Sequence, residues 1–202
     1  MAHLLLAMLV VLSAEVHDLA SEDCVDHRIS VYELAELYHE VGSEGALVSP
    51  DADPYILAAW GFFESRWRVH SKDGDCHPNG RYGDVCSSVG PMQVSKGATR
   101  WPYFAHMNLT VKKLRDPETN VRVAYEGLKF WKARCGGAIS VTLDSFQRGR
   151  CAKRPSWEGR RRCALAAAMG GFDWNCGKPT RHTRYLIRRL DNASSSIATV
   201  PR

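Results

Sequence analysis

The sequence predicts a mainly α-helical fold with at most one small β-hairpin. Apolar residues recur mostly at helical intervals, capping residues precede several of these stretches, and a hairpin fits only between Cys76 and Val94. The composition is 45% hydrophobic and 24% charged, which is typical of globular proteins and excludes the disordered, collagen-like and coiled-coil classes. With 202 residues, and about 150 residues in a typical domain, the chain has room for one domain and a short appendage.

The N-terminal segment has the features of an export signal. Leu4–Leu12 is an apolar run of signal-peptide length, too short for a comfortable membrane span, and two small residues follow it. We therefore expect a signal peptide over residues 1–14, no stable membrane span, and an exported protein of the periplasm or the extracellular space. No Lys or Arg precedes the run, which leaves a lipid-facing or misassigned start as the alternative. The folded domain is expected over residues 24–190, followed by a flexible Ala/Ser-rich tail over residues 191–202.

Seven cysteines without a CxxC pair favour disulfides over a zinc site in an exported chain. Six cysteines alone allow 15 pairings, and free buried cysteines in a cytosolic protein are the alternative. The first expected bridge closes a polar loop, and the other two are weaker predictions. The expected pairs are Cys76 with Cys86, Cys151 with Cys163, and Cys135 with Cys176, with Cys24 left over.

Local signals predict where the first helices begin and end. Ser30 and Glu33 form a capping box that opens a helix ending near Gly42. Asp53 and Pro54 are typical of a helix start, and apolar residues follow them at helical spacing.

Three later helices follow from the same signals. One begins at Asp116-Pro117 and stops at Gly136-Gly137. A helix of small residues over Cys163–Ala168 ends at Gly170-Gly171, and a basic helix surrounds Tyr185.

Glu64 is placed unusually for a charged residue. It follows Trp60 by four positions and Ile56 by eight, so on a helix it shares their apolar face. Its neighbours are aromatic, namely Phe62, Phe63 and Trp67. Desolvation disfavours a carboxylate and raises its pKa, which suits a general acid. In the alternative, Glu64 turns toward water at the helix end and pairs with Arg66 or Arg68.

Several short motifs share an order and spacing with one known family. They are Ala58–Trp67 with its Glu-Ser pair, Gly90–Val94 (Gly-Pro-Met-Gln-Val), Asp116–Val121, Ala164–Ala167 closed by Gly171, and Arg184–Leu186. Together they resemble the soluble lytic transglycosylase domain, a lysozyme-like family that cleaves bacterial cell-wall glycan. The resemblance covers about residues 56–189.

The resemblance implies a site with one catalytic carboxylate, Glu64, acting as acid and then as base. It implies that the substrate-binding residues are Ser65, Met92, Gln93, Gly171 and Tyr185, with Met92 against a sugar ring and Tyr185 near the acid. Two departures concern the site: Pro91 replaces the Leu of the family's Gly-Leu-Met-Gln, and Ala168-Met169 replaces its Tyr-Asn pair. Trp174 or Asn175 are candidates to substitute for that pair.

The function implied is cleavage of the β-1,4 bond between N-acetylmuramic acid and N-acetylglucosamine, with a 1,6-anhydro product. The partner would be a peptidoglycan strand, and the protein would be a monomer. No metal or organic cofactor is expected, and no HExxH or cysteine–histidine pattern occurs that would indicate a metal site. The nearest alternative is a goose-type lysozyme-like muramidase, which would hydrolyse the bond. Its second carboxylate would come from the loop acids Asp73, Asp75 or Asp84.

The alternative from another class is a non-catalytic module that binds glycan, or a basic module that binds another polymer. Residues 148–189 hold 12 basic and two acidic residues, a net charge of +10, and suit an anionic polymer. Cations able to contact phosphates are Arg148, Arg150, Lys153, Arg154 and Arg160–Arg162, with Trp157 for stacking. Nucleic acid is the less favoured partner because an exported, disulfide-bonded chain seldom meets it.

Overall fold

A computed structural model of the chain describes residues 1–15, 29–65, 67 and 88–198. It is mainly helical, with one two-stranded antiparallel hairpin and two disulfides, which confirms the predicted fold class. The helices are α1 (Ala2–Glu15), α2 (Val31–Gly42), α3 (Asp53–Ser65), α4 (Val111–Leu114), α5 (Pro117–Cys135), α6 (Ile139–Arg148), α7 (Trp157–Gly170) and α8 (Arg181–Ala198). The hairpin pairs β1 (Ser88–Val89) with β2 (Val94–Ser95), and 3₁₀ helices cover Lys96–Arg100 and Pro102–Met107.

The predicted helix starts are confirmed where a side chain caps the helix. Ser30 Oγ accepts the Glu33 N–H at 3.1 Å, and the Glu33 carboxylate accepts the Ser30 N–H at 2.7 Å, so the capping box opens α2. Asp116 accepts the Thr119 N–H at 2.9 Å and begins α5 in the same way. These contacts are local in sequence, and local patterns therefore predict them.

The core is built around α3, which packs against α2 on one side and α7 on the other. Gly61 permits the close approach of α2, because a Cβ at this position would lie 2.2 Å from the Tyr38 hydroxyl oxygen. In turn α7 packs on α6 and α8, and α5 packs on α2 and α6. This arrangement brings the C-terminal end of α3 beside the N-terminal half of α7.

The segment expected to be a signal peptide forms α1. Leu4, Met8 and Val11 are buried, and the helix packs on α2, α7 and α8. Its removal by a signal peptidase stays a prediction. Within the described residues, no helix has both the length and the apolar character needed to cross a membrane.

The disulfides differ from two of the predicted pairs. Cys135 is bonded to Cys151 and Cys163 to Cys176, so the pairs of Cys151 with Cys163 and Cys135 with Cys176 are wrong. The segment after α6 returns to the end of α5, and the segment after α7 folds back along that helix. These returns bring the Cα atoms within 5.3 Å and 5.5 Å, a separation that a disulfide spans. The pair of Cys76 with Cys86 and the left-over Cys24 lie outside the described residues.

Asp53 at the start of α3 stabilises the connection from α2. It is fully buried and accepts hydrogen bonds from the Leu47, Val48 and Ser49 N–H groups at 2.8–3.1 Å. The Tyr125 hydroxyl donates a fourth hydrogen bond at 2.6 Å, which ties α5 to the same carboxylate. One side chain therefore satisfies four donors, of which the Leu47 N–H and the Tyr125 hydroxyl are buried.

We expect Asp53→Ala to lower the free energy of unfolding by roughly 3 kcal/mol, because buried donors lose their acceptor. The exposed neighbour Asp51 provides a matched control, and Asp51→Ala should change that free energy by less than about 0.5 kcal/mol. Urea unfolding followed by circular dichroism measures both values. Equal effects of the two substitutions would show that the Asp53 hydrogen bonds do not stabilise the fold.

Candidate functional site

A groove of about 590 Å³ opens where α3, the hairpin, α6 and α7 meet. Its wall carries a mixture of aromatic, amide and charged side chains. The lining residues include Trp60, Phe63 and Glu64 of α3, Gln93 beside β2, Trp101, Gln147 of α6, and Glu158, Arg161 and Arg162 of α7.

Glu64 lies on the wall of this groove in an ion pair with Arg162. Its side chain is 19% exposed, and Arg162 Nη2 donates a short hydrogen bond to Glu64 Oε1. The Arg162 side chain is only 2% exposed, and its guanidinium lies 4.6 Å from the centre of the Trp60 ring. Arg162 Nη1 also donates to Gln147 Oε1 at 2.8 Å. The carboxylate therefore has a fixed position between a buried cation and the open groove.

Burial raises the pKa of Glu64 above its ordinary value, since the charged form loses hydration. The Arg162 guanidinium opposes this shift by charge and by hydrogen bonding, and Arg161 opposes it more weakly. The negative charge of Glu158 acts in the same direction as burial and raises the pKa of Glu64. The net direction is upward, so the carboxyl holds its proton to a higher pH than an exposed Glu.

Arg161 is held by aromatic rings at the edge of the same groove. Its guanidinium lies 4.4 Å from the Phe63 ring centre and 4.3 Å from that of Trp157. Arg161 Nη2 is also 3.6 Å from Glu158 Oε1, one turn earlier on α7. The first turns of α7 therefore place a second carboxylate and a second guanidinium in the groove.

The hairpin turn that carries Gln93 is anchored from both sides. Ser65 Oγ donates to the Pro91 carbonyl at 2.8 Å, which ties the turn to the residue after Glu64. Asn120 Oδ1 accepts the Met92 N–H at 2.9 Å, while Asn120 Nδ2 donates to the Val89 carbonyl at 2.8 Å. The turn is therefore fixed to α3 and α5.

Backbone geometry explains the residues of this turn. Gly90 has φ +75°, and a Cβ there would lie 2.4 Å from the Asn120 side chain. Gln93 has φ +47°, a left-handed conformation that is strained for this residue, and its Nε2 donates to the Gly90 carbonyl at 2.9 Å. The strained turn places the Gln93 side chain on the groove wall.

The residues that the family resemblance implied are placed in three different ways. Glu64 and Gln93 line the groove together. Ser65 and Met92 are buried behind it, where Ser65 anchors the turn and the Met92 carbonyl lies 3.4 Å from Trp60 Nε1. As placed, Met92 packs in the core instead of against a sugar ring.

Gly171 and Tyr185 do not line the groove. Gly171 follows the C-terminal end of α7, about nine residues or roughly 13 Å along the helix from Arg162, and lines a separate cavity with α1. Tyr185 is 48% exposed on the outer face of α8. The candidate substitutes for the missing Tyr-Asn pair also lie elsewhere, since Trp174 stacks on Phe172 and Asn175 is exposed.

Sequence reasoning missed the role of Arg162, which it assigned to a basic run. A signal was present, because Arg162, Leu165, Ala166 and Met169 follow the i, i+3, i+4, i+7 pattern of a buried helix face. Gln147 and Glu158 carried no comparable signal, since their place in the groove depends on how α6 and α7 pack.

No protein-family model, curated protein or solved structure matches this chain. Within the described part of the chain, no group of three or more His, Cys, Asp or Glu side chains is arranged to hold a metal ion. The loop acids Asp73, Asp75 and Asp84, as well as Arg66 and Arg68, lie outside that part. The functional assignment therefore depends on the groove and on the motifs that form it.

Two substitutions should move the pKa of Glu64 in opposite directions. Arg162→Met keeps the apolar packing on Trp60 but removes the positive charge, so the pKa of Glu64 should rise further. Glu158→Gln removes a like charge, so the pKa of Glu64 should fall. Titration of the ¹³C-labelled Glu64 carboxyl by NMR measures both shifts.

The control for this titration is Glu36→Gln, which removes a carboxylate from the exposed face of α2. It should leave the Glu64 midpoint unchanged, since water and salt screen distant surface charges. A Glu64 midpoint that is the same in all three variants would show that neither neighbour acts on this carboxyl.

Proposed function

We propose that the chain is a lytic transglycosylase that cleaves the β-1,4 bond between N-acetylmuramic acid and N-acetylglucosamine in peptidoglycan. The observation that supports this most strongly is Glu64, a largely buried carboxyl with a raised pKa on the wall of an open groove. Its position beside an anchored Gly-Pro-Met-Gln turn agrees with the motif resemblance. The two disulfides of the described chain support an exported location.

In the first step, the protonated Glu64 donates its proton to the glycosidic oxygen that leaves. The acetamido oxygen of the N-acetylmuramic acid attacks the anomeric carbon as the C–O bond breaks, so no protein nucleophile is required. The groove favours this step because burial keeps the Glu64 proton available at a higher pH.

In the second step, the ionised Glu64 takes the proton of the C6 hydroxyl. The C6 oxygen then bonds to the anomeric carbon, displaces the acetamido oxygen, and closes the 1,6-anhydro ring. Glu64 regains its proton, and no water is consumed. Arg162 supports this half of the cycle, because its hydrogen bond stabilises the carboxylate between the two proton transfers.

The other groove residues suit a carbohydrate. Gln93 and Gln147 offer amide groups that donate to and accept from hydroxyl and acetamido groups. The rings of Phe63 and Trp101 provide apolar surface for the faces of the sugars.

Hydrolysis is the second candidate reaction, and one observation favours it. Glu158 lines the same groove as Glu64, so a second carboxylate is present to activate water. The enzyme would then be a muramidase, and its products would carry reducing ends instead of anhydro ends.

The proposal predicts that Glu64→Gln lowers the rate of glycan cleavage by roughly 10²–10⁴-fold, because the amide keeps the shape but donates no acidic proton. Purified peptidoglycan is digested and the soluble fragments are analysed by mass spectrometry. Glu118→Gln on the exposed face of α5 is the matched control and should retain the full rate. Circular dichroism checks that both variants are folded.

Each outcome of the digestion has a distinct meaning. Anhydro fragments from the wild-type chain support the transglycosylase, whereas fragments heavier by one water identify the muramidase. A folded wild-type chain that binds peptidoglycan without cleaving it would contradict both reactions and favour a glycan-binding module. A folded Glu64→Gln variant that cleaves at the wild-type rate would exclude Glu64 as the acid.

A further inference from the structure

The basic loop, residues 149–156 between α6 and α7, forms a second pocket outside the groove. With Arg148 at its start, this loop encloses a cavity of about 360 Å³. The lining residues are Arg148, Arg150, Cys151, Ala152, Lys153 and Arg154, so four of the six are cationic.

Buried Asp144 on α6 anchors the far end of the basic loop. Its carboxylate accepts the Ser156 hydroxyl at 2.5 Å and the Ser156 N–H at 3.3 Å at the far end of the loop. At the near end, Arg148 Nε lies 3.0 Å from Asp144 Oδ2. Asp144, which is only 1% exposed, therefore ties the far end of the loop to α6, while its pair with Arg148 lies within that helix.

The middle of the basic loop is fixed as well. Ser145 Oγ accepts the Ala152 N–H at 2.9 Å, and the Ser145 carbonyl accepts the Arg150 N–H at 3.3 Å. The disulfide from Cys151 to Cys135 ties the same stretch to the end of α5. The backbone at residues 150–152 is thus anchored before any ligand arrives, which lowers the entropic cost of binding.

The charges of the basic loop are largely uncompensated. Asp144 is the only carboxylate in the described residues that pairs with this pocket, and its partner is Arg148. Arg150, Lys153 and Arg154 are exposed and form no ion pair within the described chain. Three cations on one fixed loop create a local positive potential without an internal counter-charge.

We propose that the basic loop is a binding site for the phosphate groups of a linear anionic polymer. Two guanidinium groups and an ammonium group in one pocket match the several oxygens and the negative charge of phosphate. A linear polymer is a suitable ligand because the cations are exposed. The polymer lies across the loop without entering the protein interior.

The position of the basic loop relates this binding to the groove. The loop joins the two helices that carry Gln147 and Glu158, both of which line the groove around Glu64. A polymer bound to the basic loop keeps the protein close to the larger structure to which that polymer belongs. The binding itself does not depend on any catalytic role of Glu64.

The test compares two triple variants that lose the same charge. Arg150→Ser/Lys153→Ser/Arg154→Ser removes three cations from the basic loop. The control, Arg181→Ser/Arg184→Ser/Arg188→Ser, removes three exposed cations from α8. Affinity for fluorescent polyphosphate is measured by anisotropy with the full chain at about 0.1 M salt, where charges beyond about 10 Å are screened.

We expect the loop variant to bind polyphosphate at least tenfold more weakly and the α8 variant to lose about twofold or less, because only the loop cations share one pocket. Polyglutamate of matched charge should bind the wild-type chain more weakly than polyphosphate. The substituted side chains are exposed, so both variants should fold, and circular dichroism verifies this.

Three results would overturn the proposal. Equal losses in the two variants would show a general charge effect with no site. Equal affinity for polyglutamate and polyphosphate would show that phosphate is not recognised. Binding to vesicles that contain phosphatidylglycerol, without binding to polyphosphate, would assign the loop to a membrane surface.

Discussion

The ion pair between Glu64 and Arg162 is the interaction on which the candidate site depends. Two charges held away from water are costly, and they persist only when each has partners that offset the lost hydration. Arg162 has such partners at its two terminal nitrogens, in Glu64 and Gln147, and at the Trp60 ring, while its Nε has no acceptor among the described residues. Glu64 meets this condition only in part, because its other side faces the groove and its pKa is raised. A carboxyl in this balance is able both to hold a proton and to exist as a stabilised carboxylate.

The surrounding fold positions this pair through rigid elements. Close packing of α2 on α3, which requires Gly61, fixes the helix that carries Glu64, and the packing of α7 on α3 fixes Arg162. Another part of the wall is the hairpin turn, which Ser65 and Asn120 anchor from α3 and α5. The adjacent residues Glu64 and Ser65 thus have separate tasks, since one faces the groove and the other anchors the turn that carries Gln93.

The features that depend on contacts between residues close in sequence could be predicted from the sequence. The start of α2 depends on contacts between Ser30 and Glu33, three residues apart, and the start of α5 depends on Asp116, so motif reading was sufficient. The disulfide from Cys163 to Cys176 depends on the path of the chain after α7, which no local pattern encodes. Arg162 was missed because it is the last of three consecutive arginines, Arg160–Arg162, and such a run does not indicate which of its members lies on the buried face of the helix. Tyr185 was expected near the acid by resemblance, whereas the structure places it on the outer face of α8.

Burial outweighs the adjacent guanidinium at Glu64 and raises the pKa of the carboxyl, as the proposed role of a proton donor requires. The most direct measurement is the midpoint of the Glu64 carboxyl in the wild-type chain, determined by ¹³C NMR over a range of pH. We expect a pKa above the ordinary value of a glutamate, because burial is the largest influence on this carboxyl. A midpoint at or below that ordinary value would exclude Glu64 as the proton donor, since Arg162 would then keep Glu64 ionised and without a proton to donate.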